Sequence, residues 1–158
     1  MRWLWVSLGV LVLDQYSKVL VDSALALHES IHLLPSLALR KIYNSGAAFS
    51  FLSDASGWQR WFFIGMAVLI IIVLTVWLSR LPRNQLRLAL ALSLVLGGAA
   101  GNLVDRVFYG YVIDFIDVYY ASWHWPTFNI ADSAISIGAV LLLLDAFSGH
   151  KKDQPANK

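Results

Sequence analysis

The chain has 158 residues, of which 58% are hydrophobic and only 14% are charged, and its formal net charge is +2. A soluble domain carries about a quarter charged residues, so this composition excludes an ordinary water-facing surface and points to a membrane protein. The small net charge signals neither a nucleic acid nor an acidic partner, and the absence of cysteine excludes thiol nucleophiles, disulfides and thiolate metal sites.

Four apolar runs follow one another along the chain, at residues 3–21, 61–78, 86–104 and 130–147. Each is close to the roughly 20 residues a helix needs to cross the hydrocarbon core. The first follows Arg2 and resembles a secretory signal, but no small-residue cleavage site closes it and three more spans come after it. No linker or repeat divides the chain, so residues 1–158 are read as a single integral-membrane domain with an all-α core of four transmembrane helices. Only the tail at 151–158 reads as disordered.

The two long connections, 22–60 and 105–129, are more than simple loops. Residues 37–43 and 111–120 are rich in β-branched and aromatic side chains, which predicts a small extracytoplasmic β-sheet platform. Residues 53–59 are read as a short surface helix leading into the second span. Arg2, Arg80, Arg83, Arg87, Lys151, Lys152 and Lys158 flank one set of helix ends; Lys18, Arg40, Lys41, Arg60 and Arg106 lie toward the other. The positive-inside bias therefore predicts cytoplasmic termini and a cytoplasmic turn at 79–85, with the platform outside. Trp58, Trp61, Tyr119, Tyr120, Trp123 and Trp125 gather at the predicted outer interface, where amphipathic rings prefer to sit.

Carboxylates within a span are costly and mark function by default. Asp14 precedes Lys18 by four residues, so the two can pair on one helix face, and this favours a structural role for Asp14. The third span carries Gly97 and Gly101, a GxxxG face that suits close helix packing, with Gly98 between them. Asn102, Asp105 and Arg106 then present polar groups at its outer end. In the fourth span Asn129, Asp132, Ser133 and Ser136 form one polar stripe at spacings of three and four. Asp132 falls in the first turn, where the helix dipole favours an ionised carboxylate. Capping by Asn129 and Asp132 and chemistry at Asp132 are equally compatible with this pattern.

Asp114 is a second carboxylate, set in the apolar strand-like run Val112-Ile113-Asp114-Phe115-Ile116. The chain between Asp114 and Asp132 must leave the membrane and return, so both acids can meet at the outer interface. Two carboxylates that share a site hold one proton between them. The ionised partner can then activate water while the protonated one donates to a scissile carbonyl, with no metal or cofactor required. Asp117, three residues on, is assigned to the solvated rim.

Two other protease patterns are present by letter only. His28-Glu29-Ser30-Ile31-His32 matches HExxH, but zinc binding needs a helix to put both histidines on one face, and Pro35 follows in a β-type stretch. Ser17 and Lys18 are adjacent and so point apart on a helix, which argues against a direct dyad.

Taken in order, the motifs resemble those of the bacterial lipoprotein signal peptidases, also called signal peptidase II. They are Asp14-Gln15-Tyr16-Ser17-Lys18, Asn44-Ser45-Gly46-Ala47-Ala48-Phe49-Ser50, Gly98-Ala99-Ala100-Gly101-Asn102-Leu103-Val104-Asp105-Arg106, Val112-Ile113-Asp114-Phe115-Ile116 and Phe128-Asn129-Ile130-Ala131-Asp132. The resemblance implies a membrane aspartic endopeptidase that removes signal peptides from diacylglyceryl-modified prolipoproteins, cutting before the lipidated cysteine. It places the catalytic dyad on Asp114 and Asp132, and substrate-binding or supporting roles on Asp14, Asn44, Gly98, Asn102, Asp105, Arg106, Asn129 and Ala131. It further implies location in the bacterial inner membrane with the site at the periplasmic face, contact with membrane lipids, and inhibition by cyclic lipopeptides of the globomycin type. Residues 44–51 are expected to clamp substrate through Asn44, and Arg106 to pair with Asp105 or a lipid headgroup.

The rival readings are a small ion-coupled transporter relaying through Asp14, Asp105 and Asp132, and a non-catalytic assembly factor held by the GxxxG face. Transporters commonly show paired halves, and no internal repeat is visible.

Overall fold

In the computed structural model of the chain, residues 2–46 and 57–149 are described. The tail at 151–158, positions 53–56 of the expected surface helix and positions 47–51 of the expected clamp lie outside them. Trp58 and Gln59, expected in the surface helix, are the first residues of a membrane-length helix.

All four apolar runs are helical: α1 Leu4–Ala24, α2 Trp58–Arg80, α3 Leu86–Phe108 and α4 Ile130–Gly149. Pro82 follows α2 and sits in the short connection to α3, where a residue without an amide hydrogen cannot continue the helix. The helix α3 is the hub, packing against α1, α2 and α4. It is buried along most of its length, whereas the other three expose most of theirs. Trp5, Leu13, Leu69, Ile72, Leu143 and Phe147 all face outward. Apolar rows of this extent on three helices are stable only against a hydrocarbon solvent, and each helix satisfies its backbone hydrogen bonds internally as lipid requires.

Close packing follows from glycine. A Cβ at Gly97 would lie 2.7 Å from the Ser7 carbonyl oxygen of α1, and one at Gly98 would lie 2.4 Å from the Ala131 carbonyl oxygen of α4. Gly101, one turn on, would strike the Asp14 carboxylate at 2.5 Å. The GxxxG face thus serves α1, while the intervening Gly98 admits α4. Ser7 adds a hydrogen bond from its hydroxyl to the Ser93 carbonyl, at 2.9 Å.

The connections build one antiparallel sheet in the order β1-β2-β3-β4, from β1 Ser30–Leu34, β2 Leu37–Asn44, β3 Val112–Tyr120 and β4 Trp123–His124. Strands β1 and β2 join through Pro35 and Ser36. Proline presets the first turn position and Ser36 adopts the left-handed conformation (φ 72°), as a tight turn requires at the second. A register shift in β2 falls between Leu39 and Ile42, opposite β3. Beyond it, Asn44 lies across from Val112 and Ile42 across from Asp114. Phe115 packs with Val21 and Leu25 at the end of α1, so the sheet rests on the helix bundle at one end.

Candidate functional site

The junction of sheet and bundle is where the polar residues converge. Asp114 faces down from β3 and is 2% exposed. Its two oxygens each accept an amide: Asn44 Nδ2 from β2 at 2.9 Å and Asn129 Nδ2 at 2.7 Å. Asn129 sits immediately before α4 and does two jobs. Its Oδ1 accepts the backbone N–H of Asp132 at 2.8 Å, while its own N–H reaches Asp132 Oδ2 at 3.4 Å. This is a reciprocal cap of the α4 N-terminus, with Asp132 in the glutamate position of a capping box. Capping and a role in the site are therefore not alternatives for Asp132. Its second oxygen, Oδ1, accepts Asn102 Nδ2 from α3 at 2.7 Å.

Beneath this layer lies a fully buried charge cluster. Lys18 Nζ bridges Asp14 Oδ2 at 2.8 Å and Asp105 Oδ2 at 2.9 Å, and donates to Asn102 Oδ1 at 3.1 Å. That last bond fixes the Asn102 amide with its NH2 toward Asp132. Asp14 Oδ1 accepts the Ala131 backbone N–H at 2.9 Å, so α1 helps to cap α4. Asp105 also accepts Gln15 Nε2 at 2.8 Å and the Ile113 backbone N–H at 3.1 Å, tying α3 to the start of β3. Two carboxylates around one ammonium, with every oxygen hydrogen-bonded, meets the condition under which burying charge is tolerable. The expected Asp14–Lys18 pair is present, but it is one edge of a cluster that spans three helices.

Asp114, Asp132, Asn44, Asn102 and Arg106 all line a single cleft of ≈ 530 Å³. Val112, Phe128, Ile135 and Ile137 form apolar walls, and Ile137 is 55% exposed on the outside of α4. The cleft therefore reaches from polar groups at its floor to the lipid-facing side of the bundle. Burial, and then the neighbouring Asp132 carboxylate, push Asp114 from its ordinary 3.8 up to about 7. At neutral pH such a group is poised to hold or give a proton.

Two expectations, on Arg106 and Asp117, need correction. Arg106 does not pair with Asp105 among the described residues. The Asp105 oxygens are taken by Lys18, Gln15 and Ile113, while Arg106 donates to the Gly46 carbonyl at 3.2 Å and to the Asn102 carbonyl at 3.4 Å and lies over Phe63. The Asn44 side chain donates to Asp114 and accepts the Gly46 N–H, and it lines the cleft. Asp117 is not on a solvated rim; it is 2% exposed and paired with His124 Nδ1 at 2.9 Å. The HExxH letters lie in β-type structure, as expected: His28 has a left-handed backbone, and His32 is in β1 with its Nδ1 3.0 Å from the Tyr119 hydroxyl. Among the described residues no group of three metal-ligating side chains gathers.

Lys18 and Gln15 carry more of the buried cluster than the sequence indicates. The i, i+4 spacing pairs Lys18 with Asp14, and no local pattern points to Asp105 on α3. Gln15 belongs to the first motif of the resemblance, but nothing in the pattern shows that it reaches Asp105.

Fold and site together define a polytopic membrane protein with two carboxylates facing one cleft where the helices meet the sheet. The model of the signal peptidase (SPase) II family matches residues 6–148. The chain is 58% identical to the lipoprotein signal peptidase of Pseudoalteromonas translucida, over 94% of this chain and 89% of that one. It is 51% identical to that of Pseudomonas putida, over 99% and 93%. A bacterial membrane enzyme structure determined by the in meso method at 2.3 Å superposes with a TM-score of 0.85 at 29% identity, covering 99% of this chain and 93% of the other. The chain belongs to the signal peptidase II family and is a multi-pass membrane peptidase.

Proposed function

We propose that the protein is an aspartic endopeptidase that removes signal peptides from diacylglyceryl-modified prolipoproteins, with Asp114 and Asp132 as the catalytic pair. The observation that carries this reading is that both carboxylates face one cleft while Asp114 is held near pH 7. Asp132, at the positive end of α4, is the base that takes a proton from water. Asp114 gives its proton to the oxygen of the scissile carbonyl. When the resulting gem-diol collapses, Asp114 takes a proton back from a hydroxyl while Asp132 passes the proton it took from water to the departing amine. The proton count closes, since one carboxylate starts charged and the other neutral, and their roles exchange during hydrolysis.

The supporting residues act through these two. Asn44 and Asn129 fix the Asp114 carboxyl plane, and Asn102 fixes Asp132. Asp14, Asp105 and Lys18 fix Asn102 and the start of α4. Gly98 and Ala131 supply the close approach of α3 and α4. Arg106 presents a cation at the cleft and secures the chain at Gly46. The cleft's apolar wall at Ile137 suits a substrate whose acyl chains stay in the bilayer while its peptide bond reaches the polar floor.

The full domain, residues 1–158, would then lie in the bacterial inner membrane with both termini cytoplasmic and the sheet at the periplasmic surface. Prolipoproteins and membrane lipids are its partners, and cyclic lipopeptides of the globomycin type are its expected inhibitors. The test is incubation of purified protein with a diacylglyceryl-modified prolipoprotein in detergent, with and without a chelator. Release of the signal peptide in both conditions supports the reading. Loss of cleavage with the chelator, or none at all on a verified substrate, contradicts it.

A further inference from the structure

We infer that the end of the bundle opposite the carboxylate cleft carries a binding site for the phosphate of an anionic phospholipid headgroup, built from Arg2 and Arg83. A cavity of ≈ 510 Å³ opens there, between the segment before α1, the end of α2 and the connection to α3. Arg2, Trp3, Ser79, Pro82, Arg83 and Ala89 are among the residues that line it.

Two features make the cavity suited to a phosphate. Arg2 and Arg83 both line it, and among the described residues neither forms an ion pair. A guanidinium matches phosphate oxygens two at a time, which an ammonium cannot do. The acid that α4 brings to this end of the bundle, Asp145, is not among the cavity's lining residues.

The depth of the cavity selects a lipid over a soluble anion. Trp3 forms part of its wall, Trp5 is 75% exposed just inside α1, and Trp77 is half exposed one turn before the end of α2. Indole rings concentrate at headgroup level, so these residues set the cavity at the height where lipid phosphates lie. Leu86, also exposed, begins the apolar surface directly below. The inference does not depend on the peptidase reading, because no residue of the cleft takes part.

Native mass spectrometry of the full chain in neutral detergent tests this, using phosphatidylglycerol and phosphatidylcholine at equal concentration. Wild type is expected to retain phosphatidylglycerol preferentially. The double variant Arg2→Gln/Arg83→Gln should weaken that retention by about 30-fold, from the attraction each arginine gives near an anionic surface. Arg40→Gln/Arg80→Gln removes as many charges but leaves the cavity intact, and should bind like wild type. Equal retention of the two lipids would overturn the inference, as would equal losses in the two double variants. Displacement of the lipid by millimolar inorganic phosphate would assign the site to a soluble anion and equally overturn it.

Discussion

Asn129 donates to Asp114 across the boundary between bundle and sheet, at 2.7 Å, while its side-chain oxygen caps the helix that carries Asp132. One amide thus sets the relative position of two carboxylates that come from different elements. Replacing Asn129 by Ala should remove an N-cap, costing about 0.5–2 kcal/mol of stability, and leave Asp114 with one donor instead of two. Cleavage should fall by more than melting temperature predicts. A variant that loses stability but keeps full turnover would reduce Asn129 to a helix cap.

Lys18 is the single cation between two buried acids, so its removal is expected to be severe. Lys18→Met leaves Asp14 and Asp105 without their partner and should cost about 3–5 kcal/mol. Thermal denaturation in detergent measures this directly. A variant that melts like wild type would show that the cluster contributes nothing to the fold.

Small residues in α3 can be tested by comparison within one protein. Gly98→Ala would place a methyl 2.4 Å from a backbone oxygen of α4, whereas Gly65→Ala would meet nothing within 4 Å. The first should destabilise by about 1–3 kcal/mol or more and disturb the cleft. The second should be neutral or slightly stabilising, since alanine favours the helix by up to about 1 kcal/mol. Equal behaviour of the two would contradict the close α3–α4 approach.

The raised Asp114 value makes a prediction about stability against pH. Between about 4 and about 7 the folded protein keeps a proton that the unfolded chain has released, so stability falls as pH rises, with a slope approaching 1.4 kcal/mol per pH unit as an order of magnitude. Below that window the contribution is fully present, and above about 7 it is lost. Asp114→Asn removes this titration. The variant should therefore gain on wild type from pH 4 to 7 and run parallel to it above. Parallel curves throughout would show that Asp114 titrates normally. If Asp114 supplies the proton in catalysis, cleavage by wild type should also decline as pH rises through about 7.

Much of this was legible in the sequence because the bilayer imposes a strong rule. Four runs of apolar residues near span length left little choice but four helices, and the β-branched stretches around Ile42 and Ile113 read as strands. The helix boundaries drifted outward where polar residues continue the turn: α1 runs on through Asp22 and Ser23 to Ala24, and α3 through Asp105 and Arg106 to Phe108. Periodicity puts Asn129 and Asp132 on one stripe but leaves open whether they cap or face a site, because a carboxylate can cap a helix with one oxygen and turn the other toward a cleft. Partners far apart in sequence were not legible. Nothing near Lys18 announces Asp105, and nothing near Asp117 announces that His124 folds back over it and buries it.

Asp117 provides a contrast within the same strand. It is as buried as Asp114, yet its partner is His124 and it does not line the cleft. Asp117→Asn should keep cleavage within a few-fold of wild type, with its cost confined to stability. Loss of turnover without loss of stability would bring Asp117 into the reaction.

The most direct measurement is cleavage of a diacylglyceryl-modified prolipoprotein by purified wild type, Asp114→Asn and Asp132→Asn, with each variant's folding checked by melting. If the paired carboxylates carry the reaction, both variants remain folded and neither cleaves beyond about a thousandth of the wild-type rate. A folded variant of either kind that still cleaves at a rate near wild type would contradict the assignment.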